Sequence, residues 1–565
     1  MRKWNCHPRR AWALVSVLLV LLGLTWPSPS LARERAKNVI VLIADGCSAE
    51  QYTFARWFKG QPLSFDSIRT GSIKTFIADS VIADSAPAAS AFSTGVRTSD
   101  KFISVGPHEK TMAGVPALDP GLPYRPLATV LEGARLLGKA TGIVATSRVT
   151  HATPAAYVAH VHDRDMEDDI MEQAVHLGVD VVFGGGRRHL LPKDDKASRN
   201  DNENLLEVLM GKGYATPGTR DEMQRVRQGK AFGLFAPSHM DAEIDRPNLH
   251  PEQPTLEEMT RKAIELLSGD PDGFFLMVEG SQVDWACHAN DPSHLLSDLL
   301  AFDRAVEAAL DFARKDRKTL VLVFSDHNTG GFSIGNSASD KSYSQMNVDS
   351  LLVPFRKMKA SADILWKRLG QEKTPAALKK VIGEGWGMEI TDEDADQVLS
   401  LAARLKKDKL EEYYALGEFL SPRYTYVGWT THGHCGGDVP LHAFGPGRPL
   451  GVLDGPEVAK ACAQAMDLDL GKLNQRLFVD AGRVFGEGAV RIDKTDPQNP
   501  VVTIRHEGRQ AELPVNKNWL ILEGKARTLE GVVVYAPKKE RAYIPLQAEQ
   551  WIRGSKTPLP GVRAR

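Results

Sequence analysis

Asp45 closes one apolar run, Glu279 another, and Asp326 and His327 a third; Asp284 and His288 stand four apart, and WTTHGHCGG carries His432 and His434. Carboxylates mixed with imidazoles suit zinc or a comparable divalent ion, whereas all-oxygen sets suit magnesium. Asp284 and His288 fall one helical turn apart on one face, so they can grip one ion. Singly, each has an ordinary explanation: an acid after a strand caps a helix, and a histidine near a turn is a satisfied polar group. Five separated strand ends that all offer ligand-type residues argue for a shared site. Residues 83–95, ADSAPAASAFSTG, add four hydroxyls (Ser85, Ser90, Ser93, Thr94) and the carboxylate of Asp84, with no histidine nearby and no G-x-S-x-G spacing. Asp84 or Ser85 suits a helix start, with Pro87 tolerated in its first turn. A metal lowers a hydroxyl's pKa and steadies a leaving oxygen, so such a serine needs no histidine base. The substrate class this chemistry favours is a phosphate ester, where catalysis is largely positioning and charge neutralisation.

The elements that must position these groups are legible as buried strands. NVIVLIADG (38–46), ATGIVATS (140–147), VDVVFGGG (179–186), FFLMVEG (274–280) and TLVLVFSDH (319–327) are almost continuously apolar, as in strands covered on both faces. Helical patterns intervene, among them LATVLEGARLLG (127–138) and LLSDLLAFDRAVEAALDFARK (295–315). The alternation predicts an α/β three-layer sandwich: a central, mostly parallel sheet flanked by helices, with ligands bound beyond the carboxyl ends of its strands. Residues 335–425 depart from this rhythm as a helical insertion, a lid or an interface. Residues 474–565 read as a small β-rich domain without recognisable chemistry, its strands in AVRIDK, VVTIRHEG, WLILEG, GVVVYAP and RAYIPLQ.

The 565 residues are 42% hydrophobic and 25% charged, which argues against disorder. Net charge is −1, and −5 without residues 1–32, which hold four basic residues and no acid. That balance provides no footprint for nucleic acid. Arg2, Lys3, Arg9 and Arg10, the apolar run 11–24 and Ser30-Leu31-Ala32 read as a secretory signal, cleaved to leave a periplasmic or extracellular protein with no stable membrane span. Cys47, Cys287, Cys435 and Cys462 remain, and read as small packing residues. The alternative is that Cys287 and Cys435, both beside ligand candidates, pair or make the site sensitive to oxidation.

ADSAPAASAFSTGVRT resembles the nucleophile segment of alkaline phosphatases, and the likeness runs in register from NVIVLIADG to HGHCGGDVPLHAFGP, over roughly residues 36–450. The resemblance implies that Ser85 is the nucleophile of a phosphoseryl intermediate, attached to a metal together with Asp45, Asp326 and His327. It implies a second zinc on Asp284, His288 and His434, with His434 preferred to His432 by its spacing to Gly445-Pro446. A third ion, usually magnesium, would take Asp45, Thr153 and Glu279, and Arg164 would clamp two phosphate oxygens with its planar fork. The cofactors implied are two Zn2+ and one Mg2+, acting on small phosphate monoesters in a homodimer. Two positions depart from the best-known bacterial pattern. His151 replaces an aspartate beside the third metal and is able to draw zinc or cobalt there. Trp285 replaces a lysine and removes a positive charge from the phosphate's surroundings. The rivals are a phosphodiesterase or sulfatase of the same superfamily and a non-catalytic metal- or phosphate-binding protein. The sulfatase motif C/S-x-P-x-R is absent, and a pure binder has no use for a metal-activated serine.

Overall fold

The computed structural model describes residues 35–115, 118–194 and 198–564. Nine strands form the central sheet: β1 (Asn38–Ala44), β2 (Arg69–Lys74), β3 (Ala140–Arg148), β4 (Val181–Gly185), β5 (Ala231–Leu234), β6 (Phe274–Gly280), β7 (Thr319–Phe324), β8 (Val439–Phe444) and β9 (Gly451–Asp454). Their spatial order is β9-β2-β8-β7-β1-β6-β3-β4-β5. All pairs are parallel except those of β8, which runs antiparallel to both β2 and β7.

Side chains alternate across a strand, so β1 feeds two separate cores. Ile40, Leu42 and Ala44 join Phe54, Leu299 and Phe302 on one face; Val39, Val41 and Ile43 join Phe92, Val130 and Leu131 on the other. Helices cover both faces, which is the three-layer arrangement expected from the apolar runs. The five runs named above correspond to β1, β3, β4, β6 and β7. β2, β5 and β9 carry no such signature.

Register decides where the chemistry collects. Ile43 of β1 pairs with Glu279 of β6 and with Phe324 of β7, and Glu279 pairs with Ala145 of β3. Four adjacent strands therefore end at one level, with Asp45 and Asp326 two residues past paired positions. Four helices matter for the site: α1 (Ser85–Thr94), α2 (Ala152–Ala155), α3 (Gln282–His288) and α4 (Pro292–Asp316). A two-residue antiparallel pair, His434↔Thr329, delivers the late histidine to the end of β7.

The 335–425 segment folds into helices at Val348–Arg356, Ala362–Leu369, Pro375–Trp386 and Asp392–Lys407. Leu351, Leu365, Ile382, Trp386 and Val398 from these helices are continuous with the core under Ile40 and Leu42. Near the C-terminus, five strands (490–493, 501–506, 509–514, 519–522, 525–528) pair antiparallel in sequence order. Val502, Leu513, Leu520 and Ile552 give this region a core of its own, while Val534 and Tyr543 pack into the core of the central sheet. RQAELP (509–514) and KART (525–528) are strands that the sequence pattern does not mark; KART is fully exposed and mostly polar. Among the described residues no helix is long and apolar enough to cross a membrane. Residues 1–32, read as a secretory signal, lie outside the described residues.

Candidate active site

Ser85 is the first residue of α1, and it is buried. Asp84 caps that helix by accepting from the Ala86 amide, while small side chains (Ala86, Ala88, Ala89) let the helix sit within the core. The Ser85 hydroxyl lies 3.2 Å from His327 Nε2. Ser90, Ser93 and Thr94 turn instead to backbone carbonyls, those of Phe102 and Ser90, which leaves Ser85 as the hydroxyl facing the strand ends.

Around it the ligand-type residues converge. Asp45, Asp326 and His327 form one group whose donor atoms all lie within 4.8 Å of one another, and all three are buried. Asp45, His151 and Glu279 form a second, and Asp284, His327 and His434 a third. Within α3, His288 Nε2 stands 3.1 Å from Asp284 Oδ2, the spacing of one helical turn, and 3.2 Å from His434 Nε2. Thr153, on α2 just past the end of β3, is fully buried.

The imidazoles are fixed by what their outer nitrogens touch. His288 Nδ1 meets the carbonyl of His432, His434 Nδ1 that of Ala83 at 3.0 Å, and His327 Nδ1 the Thr329 hydroxyl at 3.3 Å. Held by these outer contacts, the rings turn Nε2 towards the cluster, the arrangement that second partners impose on metal-ligating histidines; against the effect of burial, Asp284 lifts His288 to about 9. Thr329 also donates to Asp284 Oδ1 at 2.6 Å, and the Gly46 amide donates to Asp326 Oδ1 at 3.1 Å. Both ring nitrogens of His432 are occupied, Nε2 by Glu418 at 2.8 Å and Nδ1 by the His288 carbonyl at 2.6 Å, while its own carbonyl meets His288 Nδ1.

Electrostatics tests whether these groups suit cations. Both carboxylate oxygens of Asp45, one each of Asp326 and Glu279, the Thr153 hydroxyl and His151 Nδ1 are buried without a hydrogen-bond partner. Burial raises the Asp45 pKa well above its ordinary value, and the carboxylates of Asp326, Asp284 and Glu279 add to the rise. Burial, with Asp326 beside it, likewise lifts Glu279 to about 7. Asp284 goes the other way: its burial opposes ionisation, yet His288 and His434 hold it well below the usual carboxylate range. Orphaned buried acids are strongly unfavourable unless neutralised. Donors of this type and number fit divalent ions, zinc where imidazoles contribute and magnesium where Asp45, Thr153 and Glu279 offer oxygen alone.

Arg164 Nη1 bonds both oxygens of Asp84, at 2.5 and 2.6 Å, and its Nη2 lies 2.8 Å from His151 Nε2. Burial and the neighbouring guanidinium groups of Arg164 and Arg148 push His151 down to about 3, so it is neutral. Trp285 packs edge-on to His151 at 5.5 Å and to His239 at 4.1 Å between ring centres. His239, Thr329, Ser147 (3.2 Å from Glu279 Oε2) and Glu418 support the site with no signature in the sequence, since each sits in a segment of ordinary composition. Among the described residues, all four cysteines (Cys47, Cys287, Cys435 and Cys462) are free. The alternative weighed above, a Cys287–Cys435 pair, is not formed: Cys287 Sγ accepts from Gln51 Nε2 at 2.8 Å, and Cys435 sits in the strand pair opposite Asn328.

A helix-covered parallel sheet whose strand ends gather buried acids, inward-facing imidazoles, a helix-start serine and an arginine defines a metal-dependent hydrolase of the α/β class. Residues 36–468 match the family model for alkaline phosphatase. Alkaline phosphatase 3 of Bacillus subtilis is 33% identical over 464 residues, covering 79% of this chain and 92% of that one. Among solved structures, Thermus thermophilus alkaline phosphatase superposes with a TM-score of 0.66 at 27% identity, covering 78% of this chain and 94% of that one. A histidine-to-aspartate variant of the alkaline phosphatase from the Antarctic bacterium TAB5, with Mg bound in its M3 site, gives 0.53 at 27% identity over 77% of this chain and 99% of that one. The chain belongs to the alkaline phosphatase family and is a phosphatase.

Proposed function

We propose that this phosphatase is an exported phosphomonoesterase that passes the phosphoryl group through Ser85 to water. The observation carrying this reading is the Ser85 hydroxyl, buried at a helix start and 3.2 Å from His327 Nε2, which itself stands 3.6 Å from the unpartnered Asp45 Oδ1. Asp45, Asp326 and His327 would hold one zinc-type ion, Asp284, His288 and His434 a second, and Asp45, Thr153 and Glu279 a third of magnesium type, with zinc or cobalt the alternative there because of His151. When bound, these ions supply charge neutralisation and lower the pKa of the attacking oxygen.

The protein's own groups do the positioning. A dianionic monoester draws Arg164 away from Asp84, and the guanidinium fork takes two phosphate oxygens. The positive end of the α1 dipole favours the same charge. Ser85 Oγ then bonds phosphorus as the ester P–O bond breaks and the alcohol leaves. Water cleaves the Ser85–phosphorus bond in turn and restores the hydroxyl. Residues 33–473 would carry this chemistry, with 474–565 as an accessory domain, in a homodimer released by cleavage after Ala32.

Acid-quenching the enzyme with labelled phosphate tests the reading. Label should appear on the peptide containing Ser85 and vanish in Ser85→Ala. Stripping with EDTA, then restoring zinc, magnesium or cobalt, should abolish and recover hydrolysis of p-nitrophenyl phosphate. Faster turnover of the corresponding diester would overturn the assignment.

A further inference from the structure

A cleft of about 500 Å³ opens beside α3, between the sheet domain and the helical insertion, and Trp285, Tyr413 and Tyr414 line it. This aromatic wall lies close to the reacting groups. Trp285 directly follows Asp284, and its ring stands 5.5 Å from that of His151, which bonds Arg164. Tyr414 stacks on His432 at 5.0 Å, and the carbonyl of His432 holds His288.

The charge of the lining is one-sided. Its lysine, Lys367, is tied to Asp363 at 2.5 Å. Asp241 faces His250 at 2.5 Å. Glu411 is exposed; its carbonyl accepts from the Tyr414 amide at 3.2 Å, and among the described residues its carboxylate has no hydrogen bond or ion pair. Ring faces attract cations most strongly where desolvation is partial, and an unpaired carboxylate at the rim adds to that field. An anionic or purely aliphatic alcohol gains neither term.

We infer that the cleft receives the alcohol portion of the phosphate monoester and favours an alcohol bearing a cationic nitrogen, held against Trp285, Tyr413 and Tyr414 with Glu411 as counter-charge. Such a preference presupposes the phosphomonoester hydrolysis proposed above. It would make the replacement of a lysine by Trp285 a change of selectivity, from a side chain that repels cations to one that binds them.

The test compares choline phosphate with its uncharged isostere, 3,3-dimethylbutyl phosphate, on the metal-loaded enzyme, with methyl phosphate as a substrate too small to enter the cleft. Choline phosphate should be favoured in kcat/KM by about fivefold to tenfold, the range of a partly exposed cation–ring contact. Glu411→Gln and Tyr413→Leu should each bring the ratio towards one while leaving methyl phosphate hydrolysis unchanged. Calorimetry gives a readout independent of turnover: choline should bind more tightly than 3,3-dimethylbutanol, and less so in Glu411→Gln. Equal rates for the two esters with methyl phosphate still hydrolysed would overturn the cation preference alone. Inactivity towards all three esters would overturn the phosphomonoesterase reading itself.

Discussion

Among single residues, Ser85 and Arg164 separate chemistry from binding. Removing the Ser85 hydroxyl leaves the ligand groups and the clamp in place, so Ser85→Ala should lower kcat by about a thousandfold or more with the fold intact. Circular dichroism and steady-state kinetics on the same preparation would check both halves. Arg164 donates in a fixed plane, with Nη1 on Asp84 and Nη2 on His151. A lysine keeps the charge but loses the fork, so Arg164→Lys should raise the inhibition constant for inorganic phosphate about tenfold, and Arg164→Ala by more. Equal affinities for phosphate in wild type and Arg164→Lys would show that the guanidinium does not clamp the anion. Much of this constellation was legible in the sequence because five separated strand ends all offer ligand-type residues, a coincidence that no single position would signal. Its supports were not. Thr329 and His239 act through hydrogen bonds and ring contacts set by tertiary packing, and no periodicity encodes those.

At the scale of elements, the turn after β1 has a conformation that few residues tolerate. Gly46 has φ +68°, and a Cβ there would stand 2.5 Å from Asp284 Oδ1 and 2.9 Å from Asp284 Cα. Gly60, at φ +73°, ends a surface helix with nothing within 4 Å of such a Cβ. Both alanine substitutions carry the backbone strain of about 1 kcal/mol, but only Gly46→Ala must also displace the start of α3. Gly46→Ala should therefore lose activity at lower EDTA concentrations than wild type, while Gly60→Ala shows a small drop in melting temperature and the ordinary chelator response. Matching EDTA curves for the two would remove the role assigned to Gly46. The central strands betray themselves because both faces are covered; β2 and β9 lie at one margin of the sheet, where exposed positions break the apolar run. β5, buried but only four residues long, is too short to stand out.

Across the whole molecule, the C-terminal region grips the helix that begins three residues after Arg164. Asn516 Nδ2 donates to Asp169 at 2.7 Å, Lys517 reaches Glu172 at 3.2 Å, and Asn518 contacts His176 at 3.3 Å, all on the helix Glu167–Leu177. The junction buries acid at a cost: burial lifts Asp169 to about 6 and Glu172 to about 7, against the favourable contacts from Asn516 and Lys517. For an acid whose folded pKa lies above its unfolded value, the folded state keeps a proton that the unfolded chain has lost. Stability therefore falls as pH rises from about 4 to about 6 for Asp169, then levels off. Asparagine has nearly the same shape, still accepts from Asn516 and cannot ionise. Asp169→Asn should accordingly stabilise the protein at pH 8, by at most about 3 kcal/mol, and should be neutral at pH 4. Melting curves at both pH values, with wild type and variant at the same metal content, measure the difference. A shift of equal size at both would mean that Asp169 is ionised in the fold throughout, and that the junction is held by charge rather than strained by it.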